Sequence, residues 1–384
     1  MTTSDAGRDR YHVIVIGLGA LGSAAAYWAA RRDLRVLGLE RFELGHARGA
    51  SEDHSRIIRR SYASSDYVRF TRAAFETWAE VADEAGERLV TITGGLDLFP
   101  TDPIDDPHDY MTSMDAEGVP YEVLDAADLM RRWPAWRVTD DVTAIHQRDA
   151  GIVAASRANR AHQRLALARG ADLLAETPVL GIAEDGSGFA VTTSASAFHA
   201  DALVIAVDAW TNEVLEPFGV HLPLTIRQEQ VTYFDAADPA AFEPDAFPVW
   251  IWHDRPHMYG LPSFGRPGPK VAIHGGGPEV TPETRTFEPD REYAATVEGF
   301  VREHLPGALG PTLEVRTCIY TLTPDQHFVL DLVPGVERAS FGLGTAHAFK
   351  FASVFGRTLV ELACDGSSEW RFPRFAADRA ELRG

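Results

Sequence analysis

With 384 residues and 45% hydrophobic content, the chain can bury one large core or two moderate ones, so one large or two interleaved domains are expected. Its formal net charge of -20 repels phosphate backbones, and Arg56-Ile57-Ile58-Arg59-Arg60 is the sole basic block, so no nucleic-acid partner is expected. The polar stretch from Met1 to Tyr11 carries no signal-peptide core, and no apolar run approaches the roughly 18 residues of a membrane span, which predicts a soluble, cytoplasmic protein without a membrane partner.

In chain order, His12-Val13-Ile14-Val15-Ile16 is a β-branched run ending at Gly17, followed by an Ala-rich helix over Ala20 to Arg32. Arg35 to Glu40 then reads as the second strand of a βαβ unit. Asp66 can cap a helix through about Ala85, with Val68, Phe70, Ala74, Trp78 and Val81 as its apolar positions. Pro100 to Pro134 is Pro- and Asp-rich, which predicts loops and short elements. Ser156 precedes a helix over Arg157 to Arg169 that Gly170 ends. Strands are expected at Ala171 to Leu174, Ala190 to Thr193 and Ala202 to Val207, and again at Val231 to Phe234, Trp250 to Trp252 and Val271 to His274 in a β-rich stretch. Phe328 to Asp331 and a helix over Ala352 to Cys364 close the chain. The order predicts an α/β protein with a Rossmann-like dinucleotide-binding domain in pieces (1–85, 145–222 and 315–384) and an interleaved β-rich substrate domain (86–144 and 223–314).

Gly17-Leu18-Gly19-Ala20-Leu21-Gly22 fits G-x-G-x-x-G between a strand and a helix, where that pattern must lie to act. The first glycine permits the tight turn, the second lets backbone approach a pyrophosphate, and the third allows close packing of helix on strand. The helix N-terminus faces the phosphates. Glu40 stands at the end of the next strand, at the offset of an acid that binds ribose hydroxyls. The pattern does not separate NAD from FAD.

Lysine usage supplies an independent signal: of 36 cationic side chains only Lys270 and Lys350 are lysines. An ammonium is a compact charge whose pKa moves on burial, whereas a guanidinium is a planar fork that stays charged. Both lysines sit in apolar runs near a histidine, His274 and His347 respectively, so both are site candidates. Two cysteines, Cys318 and Cys364, make neither a disulfide framework nor a metal-ligand pair by spacing, and no metal is expected.

Seven ordered blocks resemble monomeric sarcosine oxidase and N-methyltryptophan oxidase: the glycine fingerprint, Ser55 to Arg59, Tyr259 to Phe264, Lys270 with His274, Thr317 to Thr321, Asp325 to Phe328, and His347 to Phe351. The resemblance implies a D-amino-acid-oxidase-like flavoprotein, with FAD bonded to a cysteine, that oxidises the C–N bond of secondary amino acids to an imine and makes hydrogen peroxide from O2. It implies Cys318 as the flavin attachment point, with Arg316 two residues away as a candidate activating cation. The resemblance implies Arg59 and Lys350 as the pair that holds the substrate carboxylate, and Arg56 as an arginine beside the flavin ring. Tyr259, His274, Tyr320 and His347 match substrate-pocket side chains, and Lys270 matches a lysine at the flavin edge where oxygen reacts. Gly17, Gly19, Ala20, Leu21, Gly22, Glu40, Arg41, Ser51, Ser55, Val179 and Gly344, together with Arg56, Lys350 and Cys318, are the implied cofactor contacts.

The chain departs from that pattern in three places. Glu52 stands where the family commonly has a histidine near the flavin, and Asp208 replaces a glycine in the turn Val207-Asp208-Ala209-Trp210. Trp250 falls near a pocket position held by a smaller apolar residue, so a reshaped pocket is expected. Substrate is expected to be a small N-alkyl or cyclic amino acid, and the protein a monomer or small homo-oligomer. Two alternatives stay open: an FAD dehydrogenase or tailoring oxidase of specialised metabolism, and a hydrolase. The hydrolase reading rests on His274-Gly275-Gly276-Gly277, which imitates an oxyanion motif although no G-x-S-x-G elbow accompanies it.

Overall fold

The computed structural model describes residues 10–186 and 188–383; most of the polar N-terminal stretch lies outside the described residues. The run Val13-Ile14-Val15-Ile16 forms the end of strand Arg10–Ile16, and it is apolar at every position because both faces are covered. Val13 and Val15 point into one core, Ile14 and Ile16 into the other. This strand lies at the centre of an eight-stranded sheet. On one side it pairs in parallel with Val36–Leu39, which pairs with Asp172–Leu174; on the other it pairs in parallel with Ala197–Ile205. The far edge of Ala197–Ile205 is shared. Its first half pairs with Phe189–Thr193, and its last residues pair in parallel with Ala339–Leu343. Helices Ala20–Arg31, Ala155–Ala168 and Ala352–Asp365 pack on one face, and Ser65–Ala85 lies against the last two of these.

A second eight-stranded sheet runs in the order Thr312–Leu322, Thr225–Phe234, Lys270–Ile273, Met258–Leu261, Val249–Trp252, Gly95–Phe99, Thr143–Gln147, Glu122–Leu124. Strands 143–147 and 312–322 both belong to it and run across the expected segment boundaries at 145 and 315. A three-stranded sheet of Arg56–Ile58, Gly151–Val153 and Val90–Ile92 lies beside the two. Among the described residues no helix is long and apolar enough to cross a membrane.

Two helix starts differ from expectation. The helix after Tyr62 begins at Ser65, because Ser64 is already extended, so Asp66 is a first-turn acid rather than the cap. The later helix begins at Ala155, and the Ser156 hydroxyl donates to the Asp53 carbonyl (2.5 Å) instead of capping.

Trp250 also falls elsewhere than expected. Neighbours on a strand point to opposite faces, and Trp250 takes the core face, against Trp136 and Phe300, while Ile251 takes the cavity face. Trp250 is cross-strand partner to Gly260, and a Cβ there would strike the indole. Gly260→Ala should therefore lower the unfolding free energy by about 1–3 kcal/mol through overpacking, read as a lowered Tm; an unchanged Tm contradicts this packing.

Candidate active site

The glycine fingerprint takes its shape from steric demands that can be read atom by atom. Gly17 has φ +86°, and a Cβ there would come within 2.5 Å of the Ala206 carbonyl oxygen. A Cβ at Gly22 would collide with the Gly17 carbonyl, so Gly22 serves helix packing and does not itself face the cleft. Gly17, Gly19, Ala20 and Leu21 line that cleft, as do Glu40, Arg41, Ser51, Val179 and Gly344. The Ser51 hydroxyl accepts from the Ala20 amide at 2.9 Å. Glu40 accepts from the amides of Leu18 (2.8 Å) and Phe42 (3.1 Å). Burial pushes its carboxyl up, but His46 and these amides outweigh that and lower it, so it stays ionised. Arg41 pairs with Glu213. A backbone-lined cleft at the start of a twelve-residue helix, with a buried carboxylate at its side, fits the pyrophosphate and ribose of a dinucleotide.

A second cavity of about 460 Å3 is walled by strands of the second large sheet, by Arg56 and Ile57 of the three-stranded sheet, and by loops around them. Arg56, Arg59, Tyr259, Lys270, His274, Cys318, Tyr320, His347 and Lys350 all line it, although they come from widely separated parts of the sequence. Gly49, Ala50, Arg56, Ala346 and Phe349 line both cavities, so the two adjoin there. Ser55 lines neither; its backbone carbonyl accepts from Lys270 Nζ at 2.7 Å.

Asp53, which carried no signal in the sequence beyond lying three residues before Arg56, is the hub of this cavity. Its carboxylate accepts from Lys270 Nζ (2.8 Å), Arg56 (2.9 Å) and the Tyr233 hydroxyl (2.6 Å). Burial raises its pKa, but Lys270 and Arg56 overcome that and hold the carboxyl well below the usual range. Burial likewise lowers the Lys270 pKa, with Asp53 opposing.

A second chain of charges supports Arg59. Its guanidinium donates to Asp97 at 2.9 Å, and His253 bridges Asp97 (2.9 Å) and Asp105 (2.8 Å) through both ring nitrogens. Burial opposes charge on His253, yet the two carboxylates prevail and raise its pKa, matching a ring that donates from both sides. Lys350 differs: its Nζ donates to the His347 carbonyl (2.9 Å), and no carboxylate bonds it among the described residues. Burial, then Arg59 and Arg56, push its pKa well below the ordinary value. Burial also pushes His274 down to about 4 and His347 well below its usual value, with Lys350 adding to both, so these rings are neutral at physiological pH.

Two expectations about the loops are corrected. Arg316 does not act on Cys318; it is bonded to Glu52 (2.7 Å) and Glu314 (2.8 Å), and the cations that favour the Cys318 thiolate are Arg56 and Arg285. Burial dominates, pushing the thiol up to about 11. In the loop after His274, the amides of Gly276 and Gly277 donate to the Glu229 carboxylate at 3.0–3.1 Å. An oxyanion hole filled by a buried glutamate removes the basis for the hydrolase reading.

The family model of DAO, FAD dependent oxidoreductase, matches residues 12–362. The chain belongs to that family. It is 35% identical to the monomeric sarcosine oxidase of Streptomyces avermitilis, covering 93% of this chain and 94% of that one. With the monomeric sarcosine oxidase of Arthrobacter sp. the identity is 31%, over 97% of each chain. Among solved structures it resembles NikD, an unusual amino acid oxidase essential for nikkomycin biosynthesis, in its open form, with TM-score 0.85 and 27% identity over 96% of this chain and 97% of that one. The fold is therefore the DAO type, and the protein is an FAD-dependent oxidoreductase.

Asp208, where a glycine was expected, holds φ +48° and lines the nucleotide cleft. Burial raises its carboxyl to about 6. Between pH 4 and 6 the unfolded chain ionises this group while the folded chain does not, so stability falls as pH rises through that window and stays lower above it. Asp208→Asn keeps a side chain that tolerates the left-handed region. It should stabilise the protein by up to about 3 kcal/mol at pH 8 and by little at pH 4; equal Tm differences at both pH values contradict the assignment.

Proposed function

We propose that the protein is an FAD-dependent oxidase of secondary amino acids, N-methyl or cyclic, that converts the C–N bond to an imine and reduces O2 to hydrogen peroxide. The observation that carries this reading is the presence of both Arg59 and Lys350 in a cavity that adjoins the dinucleotide cleft. Bound FAD supplies the acceptor for the hydride equivalent lost from the carbon next to nitrogen. Gly17, Gly19, Ala20 and Leu21 would receive its pyrophosphate and Glu40 its ribose, while Arg41, Ser51, Val179 and Gly344 would form the remaining wall of the cleft, with Gly22 and Ser55 acting from behind. Cys318 would be the side chain that tethers it.

Arg59 and Lys350 orient the substrate carboxylate. Lys350 has the larger share, because Asp97 already takes part of the Arg59 charge. Neutral His274 and His347, with Tyr259 and Tyr320, bound the space around the substrate nitrogen without repelling a cation. Ile251, in place of Trp250, contributes an apolar wall. Lys270 and Arg56 provide positive charge where oxygen gains its first electron, a charge fixed before it is needed. The likeness to NikD favours a second reading, an amino acid oxidase acting within a biosynthetic pathway. A peroxide-coupled screen of N-methyl and cyclic amino acids tests the function, and a yellow protein that oxidises them without peroxide is a dehydrogenase instead.

Two variants test the roles. Acid precipitation should leave the yellow colour with the wild-type protein and release it from Cys318→Ala; wild-type flavin wholly extracted into the supernatant refutes the tether. Lys350→Met should lower kcat/KM for amino acids by about two to three orders of magnitude, combining a lost charge-assisted bond with misorientation. An amine without a carboxylate should lose little, and equal losses for both substrate types dismiss the clamp.

A further inference from the structure

We infer that Asp53 is a positioning residue for Lys270, holding its ammonium charged and aiming one N–H into the cavity where oxygen reacts. The inference rests on the oxygen role proposed above for Lys270 and adds to it a residue that the sequence reading did not name.

An ammonium has three donors. Two are committed, to the Asp53 carboxylate and the Ser55 carbonyl, which leaves one for the cavity that Lys270 lines. Lys270 is 2% exposed, and burial with no anion beside it drives an amine's pKa down. The charged and titratable groups around it are Asp53, Arg56, Tyr233 and Cys318, with Tyr259 lining the same cavity. Burial keeps the two phenols and the thiol in their neutral forms. Arg56 repels the ammonium. Asp53 is thus the anion that keeps Lys270 charged.

Its own placement is fixed from three directions. Tyr233 and Lys270 are direct cross-strand partners, so their side chains rise from the same face toward the same carboxylate. The His54 amide donates to that carboxylate at 2.7 Å. The Asp53 backbone carbonyl accepts from the Ser156 amide at 2.9 Å, tying the loop to the start of helix Ala155–Ala168.

The two-lysine composition makes a direct test practical. With lysine labelled at 13Cε, the FAD-loaded protein gives two side-chain signals, assigned by Lys270→Met, and each reports its protonation state. Asp53→Asn should move the Lys270 midpoint down by about 1–3 pH units, the scale of losing an adjacent opposite charge, while Lys350 stays within a few tenths. Asp53→Glu should recover most of the shift. In stopped-flow, reoxidation of the Asp53→Asn protein by O2 should fall with rising pH at the new midpoint. An unmoved Lys270 midpoint overturns the inference, as does an equal shift of both lysines, which marks general loosening. Should Asp53→Asn fail to fold, the wild-type spectrum decides: Lys270 in the ammonium form at neutral pH supports the pair, and a neutral amine there overturns it. Lys270→Met with wild-type reoxidation would discard the oxygen role alone, leaving the NMR midpoint to judge Asp53.

Discussion

Charge compensation inside a low-dielectric cavity is the constraint on which the rest of this site depends. Arg56, Arg59, Lys270 and Lys350 all line one cavity. Isolated buried charges cost several kcal/mol each, and the protein meets that cost unevenly. Asp53 serves Arg56 and Lys270, and Asp97 serves Arg59. Lys350 is left with a backbone carbonyl. With no anion beside it, burial and the two arginines push its pKa well below the ordinary value; in the proposed function a substrate carboxylate supplies the partner it lacks.

The second feature is how strand register delivers these groups. The long antiparallel pair Thr225–Phe234 and Thr312–Leu322 sets Arg227 opposite Tyr320 and Glu229 opposite Cys318. On its other edge the first strand sets Tyr233 opposite Lys270. A slip of one residue would turn each of these side chains to the other face, so the two registers of strand Thr225–Phe234 fix the cysteine, a pocket tyrosine and the Asp53 anchor together. The helix Ala155–Ala168 holds the Asp53 loop from the nucleotide-binding side, which links the geometry of the two cavities.

Some departures from the family pattern are accommodated locally. Asp208 takes a left-handed conformation that its short side chain tolerates, at the cost of a buried carboxyl. Glu52 is neutralised by Arg316 and so adds no free anion to the cavity. Cys364 is half-buried against the first core and stays away from both cavities.

By itself the sequence determined the elements whose causes are local. The apolar run ending at Gly17, the glycine spacing and the placement of Glu40 specify a strand, a turn and a helix with a binding end, because sterics and hydrogen bonding act there over a few residues. The scarcity of lysine singled out two positions, and both line the cavity. Resemblance brought in the other residues one block at a time. Tertiary structure alone decided which of them meet, and with what partners. Trp250 went to the core and Ile251 to the cavity because a strand's face is chosen by what packs beyond it. Asp53, Asp97, His253 and Asp105 carried no periodicity or motif, since a counter-charge is recruited by distance in space and any nearby loop can supply it. Burial, which raises Asp208 and Cys318 and lowers His274 and Lys350, likewise exists only once the sheets have closed around them.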